Sequence, residues 1–279
     1  MKRVLFTDLD GTLLDLFDYS YEAAVPCLEA LKKQGVPVVF CTAKTLAENE
    51  YYQRVLGVSD PFIVENGGAV FVPEGYFSFG FEADCKKRSG ERGNYCVLEL
   101  GASYAELRRA LKEIREETGF KITGFGDLTA EEVAADANLS VEMARLAKAK
   151  QYNESFIFDE PEEKEAVLFA KIAEKGFGFT HGGRYYNIHG KKADKGRAVK
   201  ILTDLFKKEY AAVGGGGVQT VGVGDSQNDI SMLKAVEQPA VVRNKKGGWL
   251  EVSLPNLYKA EGEGTAGWVE VVKKFFEVT

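Results

Sequence analysis

The sequence has few of the residues that build metal clusters and disulfide frameworks. It contains 4 cysteines and 2 histidines in 279 residues. The cysteines form no CxxC pair and no zinc-finger spacing, and His181 and His189 lack a metal-ligand spacing. We therefore expect the cysteines to be small hydrophobic residues in a reducing compartment, and the histidines to have surface or hydrogen-bonding roles. The cysteines are Cys27, Cys41, Cys85 and Cys96.

Long apolar runs and an excess of positive charge are also absent. No stretch is long enough for a membrane span or a signal peptide, so we expect a cytoplasmic protein with no membrane partner. The 36 Lys and Arg residues against 42 Asp and Glu give a net charge of −6, which argues against nucleic acid binding through a basic surface. An anionic substrate remains compatible with this charge, because a metal ion and a few lysines can reverse the local field. No pattern indicates an oligomeric state.

Alternating apolar strands and helices predict an α/β protein. The segments Val4–Phe6, Val36–Cys41 and Phe62–Val64 are apolar throughout, and helical spacing occupies Tyr21–Gln34 and Thr45–Leu56 between them. Strands that are apolar throughout and are joined by helices indicate a parallel sheet covered on both faces. The same alternation returns near the end, at Ala198–Lys208, Val218–Val223, Asp229–Val236 and Ala240–Val242.

A region of different character separates the two halves. Residues 81–186 contain an alternating strand at Tyr95–Leu100 and a charged helix at Tyr104–Thr118. We interpret this region as an inserted α+β cap domain, and residues 1–80 and 187–279 as the core.

Pairs of aspartates follow two of the predicted strands. Asp8 and Asp10 come directly after the first strand and precede Gly11, and Asp225 and Asp229 follow the late strand. Each pair alone could be a helix cap. Ligands bind at the carboxyl ends of parallel strands, and close carboxylates there favour a hard cation such as Mg²⁺. Both pairs together therefore predict a magnesium site.

Two further residues complete this edge of the predicted sheet. Thr42 ends the second strand, where its hydroxyl and backbone amide are suited to hold a phosphoryl oxygen. Lys195 precedes a helix, where its ammonium is suited to offset the charge of a carboxylate nucleophile and a phosphate. Alone, Lys195 would be interpreted as a solvated lysine.

These motifs resemble those of the haloacid dehalogenase superfamily, and the long insertion resembles the cap of its Cof-type branch. The resemblance implies a Rossmann-like parallel-sheet core with an inserted C2-type cap. It also implies a Mg²⁺-dependent phosphatase in which Asp8 attacks phosphorus and Asp10 is the general acid and base. Magnesium would be held by Asp8, the Asp10 carbonyl and Asp225, with Asp229 in support. The motifs are Asp8-x-Asp10-Gly11-Thr12, Thr42, Lys195 and Gly224-Asp225-Ser226-x-Asn228-Asp229.

Within this branch the sequence resembles the mannosyl-3-phosphoglycerate phosphatase family. The segments that carry the resemblance are Thr42–Thr45, Pro61–Gly68, Tyr152-x-Glu154, Gly182–Tyr186 and Asp194–Gly196. The resemblance implies a small phosphorylated sugar-glycerate as substrate. Lys150 departs from the family, which more often has arginine at that position.

The residues in these segments suggest how such a substrate is held. Lys44 and Arg184 are suited to pair with carboxylate or phosphate oxygens, and Glu65 and Asn66 to bind sugar hydroxyls. Lys150 and Glu154 would close over the sugar. The full set of expected substrate-binding residues is Lys44, Glu65, Asn66, Gly67, Gly68, Lys150, Glu154, Arg184 and Asn228.

Several alternatives remain open from the sequence. Glucosyl-3-phosphoglycerate differs from the mannosyl compound in the orientation of one hydroxyl, which no motif encodes. A broader Cof-type sugar phosphatase or a phosphohexomutase would use the same catalytic residues. A catalytically inert binding protein on this fold is disfavoured, because it has no physical need for the charge cluster.

Overall fold

The computed structural model of the chain describes residues 1–81, 85–182, 185–212, 214, 217–245 and 247–278. Arg184, which the sequence suggested as a substrate ligand, lies outside the described residues. None of the helices in these ranges is long and apolar enough to cross a membrane.

A parallel five-stranded sheet forms the centre of the core, with strand order β13-β12-β11-β1-β2. Thr7 at the end of β1 lies opposite Val223 near the end of β11, so the segments that follow these strands leave the sheet side by side. This register brings the two aspartate motifs together. The strands are β1 (Lys2–Thr7), β2 (Val38–Phe40), β11 (Val218–Gly224), β12 (Gln238–Arg243) and β13 (Tyr258–Glu263).

Helices cover both faces of this sheet, as the apolar strands predicted. Leu5 packs with Leu28 and Trp268 on one face, while Val4 and Phe6 pack on the other face with residues of α7 and α8. Alternation of side chains along β1 explains this division. The core helices are α1 (Val25–Lys33), α2 (Leu46–Leu56), α7 (Lys195–Ala212), α8 (Ile230–Ala235) and α9 (Gly264–Phe276).

A second, antiparallel sheet has the order β3-β4-β6-β5 and extends the core. A parallel bridge between Cys41 and Ile63 joins it to the end of β2. The strands are β3 (Phe62–Val64), β4 (Ala69–Pro73), β5 (Lys86–Gly90) and β6 (Gly93–Glu99). Strand β6 corresponds to the alternating strand that was expected in the cap. It pairs with β4 and therefore belongs to this sheet of the core.

Cys85 and Cys96 form a disulfide, with their Cα atoms 5.4 Å apart. The expectation that all four cysteines are free thiols is therefore wrong for this pair. The antiparallel pairing of β5 with β6 brings the chain just before β5 next to Cys96, a proximity that the spacing of the cysteines does not reveal. Cys27 and Cys41 are free and buried, as expected.

A third sheet, with order β7-β8-β10-β9, belongs to the inserted region. Its elements are α3 (Tyr104–Thr118), β7 (Ile122–Gly124), α4 (Ala130–Ala137), α5 (Val141–Lys148), β8 (Asn153–Phe158), α6 (Glu165–Glu174), β9 (Phe177–Gly182) and β10 (Tyr185–Gly190). From these pairings we propose that the cap runs from about residue 101 to residue 190, later at both ends than the expected 81–186.

Local sequence signals fix several helix ends. Thr45 and Glu48 form a capping box at the start of α2, and Ser103 and Glu106 form one at the start of α3. Gly57 and Gly119 end these two helices in the left-handed conformation. The capping box of α2 matters for the site, because this helix begins directly after Thr42 and Lys44.

Candidate active site

Asp8 lies at the carboxyl end of β1 and is 4% exposed. Its Oδ1 accepts a hydrogen bond from Lys195 Nζ at 2.8 Å, and the same Nζ donates to Asp229 Oδ1 at 2.7 Å. Lys195 comes from the start of α7 and is itself 1% exposed. The buried lysine therefore joins the two aspartate motifs, which the sequence could only place at neighbouring strand ends.

Asp225 approaches Asp8 closely. One carboxylate oxygen from each of Asp8, Asp225 and Asp229 lies within 4.8 Å of the other two. Gly11 has φ +77°, and a Cβ atom there would lie 2.8 Å from Asp225 Oδ2. Glycine is thus needed at position 11 both for its conformation and for the approach of Asp225.

The three carboxylates carry more negative charge than Lys195 neutralises. Burial, and then the neighbouring Asp229, raise the pKa of Asp8 well above its usual value. The same two causes raise the pKa of Asp225 to about 7. Burial alone would lower the pKa of Lys195, but Asp229 and Asp8 outweigh it and raise that pKa. A hard divalent cation with oxygen ligands fits this donor set, because it relieves the repulsion.

Asp229 contacts Asp225 and Lys195 of the cluster through its two carboxylate oxygens. Its Oδ2 accepts hydrogen bonds from the backbone amides of Asp225 at 3.1 Å and Ser226 at 3.2 Å, while its Oδ1 accepts from Lys195. Both oxygens are therefore engaged. This arrangement suits a residue that positions Asp225 and Lys195.

Asp10 is more exposed than Asp8 and has a different partner. Its Oδ1 lies 2.9 Å from Lys44 Nζ, and Glu48 Oε1 lies 3.5 Å from the same nitrogen. The rings of Tyr19 and Tyr52 lie 5.0 Å and 5.1 Å from Lys44 Nζ. Lys44 was expected to meet the substrate directly; in the structure it is buried and holds the carboxylate of Asp10.

Thr42 is 1% exposed at the end of β2. Its Oγ1 accepts a hydrogen bond from the Lys44 amide at 3.2 Å, and its carbonyl accepts one from the Asn66 amide at 2.9 Å. The Thr42 hydroxyl thus keeps its own proton available for an acceptor such as a phosphoryl oxygen.

Glu65 contacts the cap backbone in place of the expected sugar hydroxyls. Its carboxylate accepts hydrogen bonds from the amides of Gln151 at 2.9 Å, Tyr152 at 2.8 Å and Asn153 at 2.8 Å. The side chain is fully buried. Burial raises the pKa of Glu65, and the charge of Lys150 and the hydrogen bonds from these amides oppose that rise. Glu65 therefore joins the core to the start of β8.

Of the three residues that follow Glu65, Asn66 makes a polar contact, whereas Gly67 and Gly68 allow close packing. Asn228 Nδ2 donates to Asn66 Oδ1 at 3.1 Å beside the aspartate cluster. Gly67 has φ +88°, and a Cβ there would lie 2.2 Å from the backbone carbon of Asp194. At Gly68 a Cβ would lie 2.4 Å from Tyr152 Cβ. The two glycines, expected near the substrate, instead allow the linkers of the cap to pass close to this loop.

The two expected cap residues behave differently from each other. Glu154 is fully buried, and its Oε1 pairs with Arg108 at 2.9 Å and accepts from the Gly126 amide at 2.9 Å. Lys150 is partly exposed and makes no ion pair within 4.0 Å among the described residues. Burial raises the pKa of both Glu65 and Glu154, and the positive charge of Lys150 opposes part of that rise. Glu154 thus stabilises the cap fold, and Lys150 remains available near the junction.

Two more residues contribute to the site: Thr12, which belongs to the first aspartate motif, and Trp268, which gave no sequence signal. Thr12 Oγ1 lies 3.4 Å from Asp225 Oδ1. Trp268 Nε1 donates to Thr7 Oγ1 at 3.0 Å, and that hydroxyl donates to the Asp8 carbonyl at 2.7 Å. Trp268 is on α9, 261 residues from Thr7, so only the tertiary fold reveals this support of the nucleophile segment.

Comparison with known proteins identifies the family. The profile of the haloacid dehalogenase-like hydrolases matches residues 5–78, and that of sucrose-6F-phosphate phosphohydrolase matches residues 136–276. A glucosyl-3-phosphoglycerate/mannosyl-3-phosphoglycerate phosphatase of Methanococcoides burtonii is 45% identical over 269 residues, covering 96% of this chain and 95% of the relative. This chain belongs to the mannosyl-3-phosphoglycerate phosphatase family of the haloacid dehalogenase superfamily.

Further matches support this assignment. The mannosyl-3-phosphoglycerate phosphatase of Pyrococcus furiosus is 41% identical over 237 residues, covering 85% of this chain and 89% of the relative. The solved structure of Thermoplasma acidophilum 0175 shares the fold at a TM-score of 0.68 and 18% identity, with 100% of both chains covered. The haloacid dehalogenase resemblance and the α/β core with an inserted cap are thus confirmed, and this family member is a phosphoric monoester hydrolase.

Proposed function

We propose that this phosphatase hydrolyses mannosyl-3-phosphoglycerate to mannosylglycerate and inorganic phosphate. The observation that carries the proposal is the 45% identity, over 96% of the chain, to a phosphatase named for glucosyl- and mannosyl-3-phosphoglycerate. The cluster of Asp8, Asp225, Asp229 and Lys195 supplies the chemistry that such a reaction requires.

In the first step Asp8 attacks phosphorus, and the bond between phosphorus and the glycerate oxygen breaks. Asp10 donates its proton to that oxygen, so the sugar-glycerate leaves as an alcohol and an aspartyl-phosphate remains. Asp10 then accepts a proton from water, whose oxygen attacks phosphorus and releases phosphate from Asp8. Lys44 supports both steps, because its contact at 2.9 Å fixes the Asp10 carboxylate.

Thr42 and Lys195 hold the phosphoryl group in this proposal. The Thr42 hydroxyl donates to a phosphoryl oxygen, and Lys195 offsets the charge of Asp8 as it approaches phosphorus. Asp8, the Asp10 carbonyl and Asp225 would hold Mg²⁺, with Asp229 in support, and the ion would supply positive charge to the phosphoryl oxygens.

The test is phosphate release by the purified protein, with magnesium and with excess chelator. Mannosyl-3-phosphoglycerate, glucosyl-3-phosphoglycerate, mannose 6-phosphate and 3-phosphoglycerate are compared. We expect turnover only with magnesium and a preference for the two sugar-glycerates. Equal or better turnover of the simple phosphates would remove the named substrate, and full activity in chelator would remove the metal.

Glucosyl-3-phosphoglycerate is the second candidate, because two relatives at 45% and 44% identity are named as phosphatases of both sugar-glycerates. A broader sugar phosphatase or a phosphohexomutase is the remaining alternative; a mutase would require a bisphosphate for activity. A cytoplasmic location without nucleic acid or membrane partners stays a prediction.

A further inference from the structure

The cap sheet has one apolar face and one polar face. On the apolar face, Phe156 and Ile188 pack with Leu111 of α3 and Ile172 of α6. Because side chains alternate along a strand, the neighbours of Phe156 and Ile188 point the other way. The polar face carries Asn153, Ser155, Thr180, Asn187 and His189.

Strand register groups these five side chains. Asn153 on β8 is opposite His189 on β10, and Asn187 on β10 is opposite both Ser155 on β8 and Thr180 on β9. Directly opposite residues in antiparallel strands lie on the same face. Gly178, opposite His189, leaves room for the ring, since a Cβ there would lie 2.8 Å from His189 Cε1.

The polar face holds buried atoms without hydrogen-bond partners among the described residues. They are Asn153 Oδ1, Asn153 Nδ2, Thr180 Oγ1 and His189 Nε2. Asn153 is 1% exposed, so its whole amide is removed from water with no compensating bond. Buried polar groups are almost always hydrogen-bonded, and leaving one unpaired is costly. The groups on this face therefore point to a ligand that completes their bonds.

The chemistry of these groups selects a neutral ligand surface. His189 Nδ1 lies 3.1 Å from the Gly190 carbonyl, a contact in which Nδ1 donates, so Nε2 is the acceptor in the Nδ1–H tautomer. Thr180 and the Asn153 amide can both donate and accept. Hydroxyl groups, which also donate and accept, complement this set, whereas the anionic groups of a phosphoglycerate are better matched by the lysines of the core.

The polar face is turned toward the core. The backbone amide of Asn153 donates to Glu65, in the loop that carries Asn66. The Asn153 end of the face therefore begins beside the catalytic edge. Strand β9 packs against the turn Gln227–Asp229, which contains Asn228 and Asp229. Helices α3 and α6 occupy the opposite face.

We propose that Asn153, Thr180 and His189 bind the hydroxyl groups of the sugar and determine the preference for a sugar-bearing substrate. This inference rests on the proposed function. The three residues act in binding and not in the transfer of the phosphoryl group.

The test compares a substrate that carries the sugar with one that does not. Asn153→Ala, Thr180→Val and His189→Gln are assayed on mannosyl-3-phosphoglycerate and on p-nitrophenyl phosphate. We expect kcat/KM for the sugar substrate to fall about tenfold for each variant, through KM more than kcat, with p-nitrophenyl phosphate changed less than twofold. Thr203→Val is the matched control, because Thr203 Oγ1 is also buried without a partner but lies on α7.

The outcomes separate the inference from the proposed function. If the wild type hydrolyses p-nitrophenyl phosphate but not the sugar-glycerates, the proposed function fails and the inference fails with it. If the wild type hydrolyses mannosyl-3-phosphoglycerate and the variants lose neither substrate, or lose both alike, the inference alone is overturned. Thr180→Val keeps the shape of the side chain, so the test remains available if Asn153→Ala does not fold.

Discussion

The catalytic edge of the core and the polar face of the cap satisfy their buried polar groups in opposite ways. At the catalytic edge, Lys195 bonds to Asp8 and Asp229, and Lys44 contacts Asp10. On the cap face, the side-chain amide of Asn153 has no partner among the described residues. The core holds charges against one another before the substrate arrives, whereas the cap leaves neutral groups for the substrate to complete. Under the proposed roles, reactivity would reside in the core and selectivity in the cap.

Asp8→Asn gives the largest expected effect and tests the core side of the comparison. The amide cannot form an aspartyl-phosphate, so we expect kcat to fall at least about 10⁴-fold, measured by phosphate release. Thermal unfolding should change little, because burial already disfavours the Asp8 carboxylate. Asp204→Asn, at an exposed position on α7, is the control. A loss below tenfold would contradict the assignment of the nucleophile.

Lys44→Met distinguishes the structure from the initial expectation for this residue. If Lys44 positions Asp10, kcat should fall about 10- to 100-fold with KM nearly unchanged, as steady-state kinetics will show. Lys200→Met at an exposed position is the control. A rise in KM at constant kcat would favour the substrate-binding role instead.

Glu65→Gln tests the hydrogen bonds that connect the core to the cap. Three backbone amides of the cap lose a charged acceptor, so we expect the free energy of unfolding to fall by about 1–3 kcal/mol in urea denaturation. Glu163→Gln, on the exposed surface of the cap, should change it little. Unchanged stability in Glu65→Gln would show that the carboxylate does not hold the cap.

The smallest expected effect is on the melting temperature, and it comes from removing the Asp127 ion pairs within the cap. Burial alone would raise the pKa of Asp127, but hydrogen bonds from Arg108, the Gly124 amide and Arg115 outweigh it and lower it to about 2. A lowered pKa means that the stabilisation is complete above the ordinary value of 3.8 and is lost as the pH falls through about 2.

The melting temperature of Asp127→Asn should therefore lie a little below that of the wild type at pH 6. The difference should shrink toward zero between pH 4 and pH 2, as measured by calorimetry in both proteins. Glu131→Gln, at an exposed position of α4, should show no such convergence. A gap that is constant down to pH 2 would exclude Asp127 as its source.

The sequence predicted the core and its charges because their signals are local. Asp8, Thr42 and Asp225 each follow a predicted buried strand, so their meeting at one edge follows from parallel pairing. Position alone could not show that Lys44 turns toward Asp10, or that Glu65 binds the cap. Both contacts depend on how distant segments pack.

The cap and the far end of the core were less accessible to prediction. Strand β6 alternates as a cap strand would, and only its pairing with β4 assigns it to the core sheet. Strand β13 and helix α9 were not anticipated, although α9 carries Trp268. Asn153 and Thr180 are ordinary strand residues in the sequence, and the role proposed for them rests on buried atoms that lack partners among the described residues.

The hydrogen-bonded path from Trp268 through Thr7 to the Asp8 carbonyl has a spectroscopic consequence. The chain has 2 tryptophans, Trp249 and Trp268, and both lie in the core. Tryptophan emission therefore originates in the core, where Trp268 is hydrogen-bonded to the nucleophile segment, whereas the aromatic residues of the cap are tyrosine and phenylalanine. The protein carries a built-in optical label on the domain that performs the chemistry, and a single tryptophan introduced into the cap would give the other domain its own signal.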